Sequence, residues 1–297
     1  MGQNYERLDI YEFGRHLLET GDLDPVYIAL DKMEWTDQSE LYRWLIAYWC
    51  FYHCGAASYI ASAKGPEFWG RMMVAARNET PAPDGGRWPR GSERRHFRGE
   101  AAVRAVRTLH GRYFDAPEAL VEEIAQQTET QLQYGAPAPY AMIAGRAKEL
   151  PLFGPWISFK VCDMLDRLGI TQVDFDQAAV FMFADPVKSA LMFWRQKMGF
   201  SDTVVPKDQE LVLNEVVKHL SDHFSSFSAP PRHERPVALQ EIETILCKHK
   251  SHLNGHYPKF NDIDEIRHGL ASWAPHSEIA RSMLFAMPEG SGKHGQG

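Results

Sequence analysis

The stretch Leu150-Pro151-Leu152-Phe153-Gly154-Pro155-Trp156, followed by an apolar run and then Val173-Asp174-Phe175-Asp176, indicates the fold of this chain. Gly154 can adopt backbone conformations closed to other residues, and Pro155 has the φ angle of a first helical position. The free N–H groups of such a helix start form an anion site of phosphate size. The stretch therefore predicts a tight turn that opens a helix and can grip a nucleic-acid backbone.

The helix after this turn has a defined apolar face, made by Phe159, Cys162, Leu165 and Leu168. Gly169 can end the helix, because glycine readily takes the left-handed conformation of a helix C-terminus. Asp174 would then emerge close to the gripped strand.

The whole chain is helical by its pattern, since no strand-like alternation is sustained and no internal repeat is visible. The length of 297 residues allows one large helical domain or two smaller ones. Helices are predicted near residues 9–19, 38–60, 66–76, 99–113, 116–131, 139–148, 155–168, 176–183, 186–198, 208–224, 236–250, 262–272 and 276–285.

Two segments rich in Pro, Gly or Ser, at residues 79–86 and 225–236, predict breaks between helical regions. They divide the chain into an N-terminal helical region (1–86), a hairpin-bearing core (87–224) and a C-terminal helical segment packing on that core (236–287). The composition of residues 288–297 predicts a disordered tail.

Charge is distributed unevenly along the chain, whose net charge is −7. The window from Arg87 to Arg112 holds eight arginines and two glutamates, a net charge of +6, so the remainder carries −13. A basic face on an acidic body can neutralise backbone phosphates and makes binding salt-dependent. The alternative is a solvated helix face whose arginines pair with the acidic remainder.

The cellular setting is inferred from cysteine usage and from one uncharged stretch. Four cysteines without a Cys-x-x-Cys pair argue against a zinc ribbon, and no secretory leader opens the chain, so we expect a reducing cytoplasm. Residues 44–63 contain no Asp, Glu, Lys or Arg. Their tyrosines, tryptophans and His53 suit a buried aromatic helix better than a lipid-facing one, so no membrane partner is expected.

The hairpin resembles that of the helix-hairpin-helix DNA glycosylase fold, in which Leu-Pro-x-x-Gly precedes a catalytic aspartate in a Val-Asp pair. Gly154 and Asp174 are 20 positions apart, which is similar to the family's spacing. Leu152 replaces the second hairpin glycine, and Trp156 stands where bifunctional glycosylases carry a lysine. No four-cysteine cluster follows. The resemblance implies the glycosylase-like scaffold, while these departures put a standard base-excision activity in doubt.

Two further stretches, residues 41–53 and residues 243–252 with Gly255, Tyr257, Asp262 and Glu265 beyond, resemble a phage family. It is the α-glutamyl/putrescinyl thymine pyrophosphorylase family, and the likeness is greatest to its second clade, the amino acid:DNA transferases. The resemblance implies a substrate of double-stranded phage DNA carrying 5-(pyrophosphoryloxymethyl)uracil. A free amino acid, with glycine the expected donor, would displace pyrophosphate in the host cytoplasm.

Candidate catalytic residues follow from what this displacement needs. Asp174 could accept the amine's proton or stabilise a cation-like transition state, as a carboxylate partly buried beside the base. Its alternative role is a helix N-cap, and Asp176 competes for either role. Cys247 could add to the uracil ring as a nucleophile, and the favoured alternative is a small buried hydrophobe on an amphipathic helix.

Candidate binding residues are cations and the hairpin itself. Phosphate groups would be bound by Arg94, Arg95, Arg98, Lys160, Lys248 and Lys250, each of which could instead be an ordinary surface charge. Gly154 and Trp156 would contact the DNA backbone, and Trp156 could stack on an extruded base.

No structural metal is predicted, because the pairs His249/His252 and Cys50/Cys54 lack a third ligand at standard spacing. Mg²⁺ could accompany the pyrophosphate. Two rival functions stay open: a monofunctional DNA glycosylase that cleaves the base from its sugar, and a DNA-binding protein without catalysis.

Overall fold

A computed structural model of the chain describes residues 7–175 and 183–292. These residues are mostly α-helical, which confirms the all-α prediction. The helices are α1 (Ile10–Thr20), α2 (Pro25–Lys32), α3 (Gln38–Phe51), α4 (Cys54–Ala61), α5 (Gly65–Arg77), α6 (Gly99–Arg112), α7 (Ala119–Ala125), α8 (Glu129–Tyr134), α9 (Tyr140–Lys148), α10 (Pro155–Arg167), α11 (Ala184–Met198), α12 (Gln209–Phe224), α13 (Leu239–Leu253), α14 (Asn261–Trp273) and α15 (Glu278–Ala286). A short 3-10 helix covers Ser92–Arg94, and two-residue strands β1 (Ala138–Pro139) and β2 (Val173–Asp174) pair in parallel.

Most predicted helices are present, with ends that differ by three residues or fewer. Two were wrong in extent: residues 38–60 form α3 and α4, and residues 116–131 hold α7 and the start of α8. Helix α2 was not predicted, and most of the predicted helix 176–183 lies outside the described residues. Residues 79–86 and 225–236 contain no helix, as predicted.

The break between α3 and α4 has a local cause. Tyr52 ends α3 in the left-handed conformation, with φ of 51°, and its N–H donates to the Tyr48 carbonyl oxygen. His53 then caps α4, because its Nδ1 accepts a hydrogen bond from the N–H of Ala56 at 3.2 Å. Neither residue type is a usual stop signal, so helical periodicity alone predicted one continuous helix.

The chain divides into two compact units. Unit 1 comprises residues 1–28, 175–264 and 288–297, and unit 2 comprises residues 29–174 and 265–287. The predicted boundaries at 86, 224 and 236 lie within these units, the one after residue 287 falls between them, and the predicted domains stay a prediction. Within unit 1, Ser291, part of the predicted disordered tail, donates its N–H to Asp264 at 3.0 Å.

Unit 1 is organised around α13, which packs against α1, α11 and α12. Its apolar residues Ile242, Ile245 and Leu246 are fully buried together with Phe13 and Leu17 of α1. Ile245 and Leu246 lie three and four residues after Ile242, which is the spacing of a helix with one face toward a core.

Unit 2 is organised around α3, every residue of which from Tyr42 to Phe51 is buried. A helix that is apolar all round is normally an interior one, which accounts for the uncharged stretch. The indole of Trp44 donates to Ser58 Oγ of α4 at 3.0 Å, so its polar atom is satisfied inside the core. Among the described residues, no helix is long and apolar enough to cross a membrane.

Helices α9 and α10 of unit 2 pack against each other and are joined by residues 149–154, so the predicted pair of helices around the turn is present. Strand β1 leads into α9 and β2 follows α10. Their pairing places Asp174 opposite Pro139. This small parallel pair therefore positions Asp174 relative to both helices.

Candidate functional site

The turn between α9 and α10 differs from its predicted geometry at two positions. Gly154 has φ of −85° and an extended backbone, so it does not use the conformation reserved for glycine. Leu152 does so instead, with φ of 66°. A leucine in this region is strained by about 1–2 kcal/mol, which the surrounding contacts must offset.

Helix α10 begins with an uncapped end. Gly154 is its N-cap residue, Pro155 follows, and no side chain caps the first turn. A Cβ atom added to Gly154 would meet no atom within 4 Å, so the space beside the helix start is open. Uncapped N–H groups beside open space can bind a phosphate oxygen, and phosphate binding at this turn stays a prediction.

Trp156 is half-buried next to this helix start. Its ring packs edge-on against Tyr52, with 4.9 Å between ring centroids. Tyr52 in turn contacts Tyr48, which stacks on Trp44 at 4.7 Å. A row of four aromatic rings thus runs from the turn into the core of unit 2 and holds Trp156 in place.

Asp174 is exposed rather than partly buried, and it ends β2. Its backbone is held on both sides: Val173 donates its N–H to Asp166 Oδ1 of α10 at 3.0 Å, and Asp174 pairs with Pro139. An exposed carboxylate on a fixed backbone can act as a base toward a bound ligand. Asp176, the rival candidate, lies outside the described residues.

Arg94 is buried, with 1% of its surface exposed, and does not lie where a phosphate could reach it. Its Nη1 donates to the Leu152 carbonyl oxygen at 2.8 Å, and its Nε donates to the Cys50 carbonyl oxygen at 3.2 Å. Its guanidinium carbon lies 4.9 Å from the Phe97 ring centroid and 5.2 Å from that of Phe153. Arg90, in the same basic window, is half-buried. It donates to the carbonyl oxygens of Ala75, Trp88 and Phe97 and to Asn78 Oδ1.

Other arginines of the basic window face solvent. Arg95 is exposed and donates to the Ser92 carbonyl oxygen at 2.8 Å. The side chains of Arg98 and Arg107 are exposed and form no hydrogen bond or ion pair with any residue that the structure describes. Arg104 and Arg112 pair with Glu100 and Glu123 on the surface. The window therefore contains both structural arginines and arginines available to phosphate groups.

Lys160 of α10 is buried instead of being presented to a ligand. Its Nζ lies 3.4 Å from Asp163 Oδ2, and Arg167 approaches the other carboxylate oxygen of Asp163 at 3.9 Å. A buried acid between two cations offsets part of the desolvation that each charge suffers. The geometry indicates a structural ion network inside unit 2.

Lys248 of unit 1 is likewise engaged. Its Nζ lies 2.7 Å from Asp262 Oδ2 and 2.8 Å from the Asp22 carbonyl oxygen. The Asp22 side chain is fully buried and accepts from the N–H of Ile263 at 2.9 Å. Burial raises the pKa of Asp22 to about 7, and the Lys248 ammonium limits that rise. This network joins the end of α1 to α13 and α14.

The remaining candidates of unit 1 lie on the same helix, α13. Lys250 forms an ion pair with Asp185 at the start of α11. Cys247 is half-buried. His249 and His252, the isolated histidine pair, are buried against Leu8, whose N–H donates to His252 Nε2 at 2.9 Å. In the described part of the chain, no group of three His, Cys, Asp or Glu residues could hold a metal ion.

A cavity of about 210 Å³ lies on unit 1 along α1 and contains none of the predicted site residues. It is lined by Leu8, Glu12, Arg15, His16, Glu19 and Lys259. Most of its polar side chains are exposed, so it is an open, charged depression.

The structure places part of the predicted site in one compact unit. The turn, Trp156, Arg94 and the Asp174 backbone belong to one unit, together with the exposed Arg95 and Arg98. Sequence reasoning did not predict that Leu152 adopts the left-handed conformation. It also did not predict that Arg90, like Arg94, binds backbone carbonyl oxygens inside the unit. The only signal for Leu152 was its place where the similar hairpins carry glycine.

Comparison with known proteins adds an independent finding. The sequence model of the family described as amino acid:DNA transferase matches residues 18–257. A glycinyltransferase of Pseudomonas phage PaMx11 is 48% identical over 97% of this chain and 99% of its own length. A putrescinyltransferase of Delftia phage PhiW-14 is 23% identical over 90% of this chain and 79% of its own length.

Proposed function

Because the chain belongs to the amino acid:DNA transferase family, we propose that it transfers glycine to 5-(pyrophosphoryloxymethyl)uracil in phage DNA and releases pyrophosphate. The observation that carries this proposal is the 48% identity with the phage glycinyltransferase over nearly the full length of both chains. The choice of glycine rests on that protein's name. The choice of the modified nucleobase rests on the resemblance to the second clade of the thymine pyrophosphorylase family.

In the proposed reaction, the amine nitrogen of glycine forms a bond to the methylene carbon while the bond from that carbon to the pyrophosphate oxygen breaks. The electron pair of the broken bond leaves with pyrophosphate. The glycine ammonium must first lose a proton, because only the neutral amine has the lone pair that attacks. The site therefore needs a base, and it needs cations for the leaving group.

Asp174 is the base in this proposal, since its backbone is held beside α10 and its carboxylate is exposed to a ligand. The cations are Arg95 and Arg98, which are exposed in the same unit as Asp174. Mg²⁺ can accompany pyrophosphate as its counter-ion. The modified nucleobase must leave the duplex to be reached, and the half-buried Trp156 offers a surface on which this nucleobase can stack. The reaction takes place in the cytoplasm of the infected host cell.

The experiment incubates the protein with a duplex that carries 5-(pyrophosphoryloxymethyl)uracil and a mixture of the twenty amino acids. The DNA is then digested to nucleosides and weighed by mass spectrometry. We expect a thymidine derivative whose methyl carbon is bonded to the glycine nitrogen, with the mass of thymidine plus glycine minus two hydrogens, and an equal amount of released pyrophosphate. Free base and abasic sites would establish the glycosylase instead, and unchanged DNA would refute the proposal.

Asp174→Asn tests the base. We expect turnover to fall by about 100-fold or more, the usual contribution of a general base, while duplex binding stays within twofold. Asp115→Asn, which removes another exposed aspartate of unit 2, is the matched control and should keep full turnover. Unchanged turnover in Asp174→Asn would exclude its role.

Cys247→Ser distinguishes direct displacement from a route through a covalent bond to the uracil ring. Direct displacement needs no thiol, so we expect this variant to retain turnover within about threefold. A complete loss, in a variant that still binds DNA, would assign the nucleophile to Cys247.

A further inference from the structure

The turn between α9 and α10 is held by an arginine from a distant part of the sequence. Arg94 and Leu152 are 58 positions apart, and the Arg94 Nη1 donates to the Leu152 carbonyl oxygen at 2.8 Å. Leu152 is the one residue of this turn with a positive φ. The hydrogen bond therefore holds the carbonyl group of the residue in this turn whose backbone conformation is least favourable for a residue with a side chain.

The guanidinium of Arg94 is also held at its Nε and by two aromatic rings. Its Nε donates to the carbonyl oxygen of Cys50. This carbonyl group lies in the last turn of α3, so the helix itself offers it no N–H donor. The rings of Phe97 and Phe153 both lie within about 5 Å of its guanidinium carbon. Aromatic rings and helix C-terminal carbonyl groups both attract a guanidinium, so Arg94 has a defined site inside unit 2.

The position of the turn matters because the start of α10 has no side-chain cap. Its free N–H groups must point toward an incoming phosphate, and their direction depends on the backbone immediately before Pro155. A turn that relaxed Leu152 to a negative φ would rotate that backbone. The carbonyl group that Arg94 holds lies two residues before Gly154.

We propose that Arg94 is the positioning residue of this turn: its guanidinium locks Leu152 in the left-handed conformation, so that the start of α10 can bind a DNA phosphate that Arg94 never touches. This proposal rests on the DNA-binding role within the proposed function. Arg95, which follows directly and is exposed, contacts phosphate itself. Two adjacent arginines thus have different tasks, one buried and one at the surface.

The test measures duplex affinity as a function of salt concentration, with a short unmodified duplex as the probe. Each arginine that neutralises a phosphate adds about 0.9 to the slope of log K against log salt. In Arg94→Met we expect affinity to fall about tenfold or more with the slope unchanged. In Arg95→Ala we expect the slope to fall by about one.

A second substitution distinguishes loss of the hydrogen bond between Arg94 and Leu152 from loss of folding. Glycine adopts positive φ without strain, so Leu152→Gly should recover at least threefold of the affinity lost in Arg94→Met. Leu152→Gly alone should bind within twofold of the wild type, because the carbonyl group that Arg94 holds is still present. Arg94→Lys, which keeps the charge but not the forked geometry, should behave like Arg94→Met.

Two results would overturn the proposal. A fall in slope of about one in Arg94→Met would make Arg94 a phosphate ligand, and unchanged affinity would leave it without a role in DNA binding. Because binding to unmodified duplex requires no transfer, these measurements remain decisive even if the glycine transfer assay fails. Failure of the transfer assay alone would refute only the proposed reaction.

Discussion

Two residues of the turn have backbone conformations opposite to those that their residue types favour. Leu152 takes the conformation that favours glycine, while Gly154 takes one that any residue can adopt. Gly154 is therefore not required by backbone geometry. What a glycine provides at this position is the absence of a side chain, which leaves the helix start open to close approach by a ligand.

Gly154→Ala tests this distinction. The melting temperature should stay unchanged, because φ of −85° suits alanine and its Cβ would meet no atom within 4 Å. Duplex affinity should fall by about tenfold, the value of one hydrogen bond to a charged group, because the methyl group occupies the phosphate's approach. Affinity is measured by fluorescence anisotropy and stability by thermal unfolding.

Gly70→Ala is the matched control for this change. Gly70 lies on α5 of the same unit, and a Cβ there also meets nothing within 4 Å. It should keep wild-type affinity, with a small gain in stability from its helical position. Full affinity in Gly154→Ala would remove the turn from the DNA contact.

Among the elements of unit 2, the segment that leads into α6 combines support with binding. Arg90 and Arg94 turn inward to backbone carbonyl groups, whereas Arg95, Arg98 and Arg107 remain outside. The excess of arginine over lysine suits both tasks, because the forked guanidinium can hold two carbonyl groups or two phosphate oxygens.

The double variant Arg98→Ala with Arg107→Ala tests the surface of this element. Both side chains are exposed and lack partners among the described residues, so stability should not change. The slope of log K against log salt should fall by about two if each arginine neutralises one phosphate. Filter binding over a range of salt concentrations measures this slope.

The control removes two cations from elsewhere in unit 2, Lys64 and Arg281, which pair with Asp37 and Glu278 on the surface. The double variant Lys64→Ala with Arg281→Ala has the same net charge as the test variant. An equal fall in slope for both variants would mean that overall charge, and not the α6 surface, governs binding.

For the molecule as a whole, buried titratable groups make stability depend on pH. Burial raises the pKa of Asp22 to about 7, so its carboxyl is neutral in the folded protein at a pH where it ionises in the unfolded chain. The unfolded state then binds fewer protons, and stability falls as pH rises from about 4 to 7. Burial also lowers the pKa of His53 and of His249 to about 4, which acts in the opposite direction below pH 6.5.

Asp22→Asn isolates the contribution of the carboxyl, because the two histidines are common to both proteins. The variant should gain stability relative to the wild type by about 1.4 kcal/mol per pH unit between pH 4 and 7. Urea unfolding at several pH values measures this difference. Asp31→Asn, an exposed aspartate, is the control for the loss of one negative charge. A constant difference across this range would show that Asp22 is ionised in the folded state.

By itself, the sequence determined the helical class, most helix positions, the burial of the uncharged residues from Trp44 onward and the turn before α10. These features depend on residue types at short spacing, such as Pro155 after Gly154, and local physics is enough to predict them. The resemblance to the transferase family also came from short stretches, and the match over residues 18–257 confirms it.

Only the tertiary structure decided which charged residues are buried. Nothing in the sequence distinguishes the buried Arg94, Lys160 and Lys248 from the exposed Arg95 and Arg98. The partner of Arg94 is a carbonyl group 58 residues away, and that of Lys160 is a carboxylate one turn along α10. Lys248 binds a carbonyl group just after the end of α1. The left-handed Leu152 likewise has a long-range contact, the hydrogen bond from Arg94 to its carbonyl oxygen. Burial is a property of the packed chain, and no spacing along the sequence contains it.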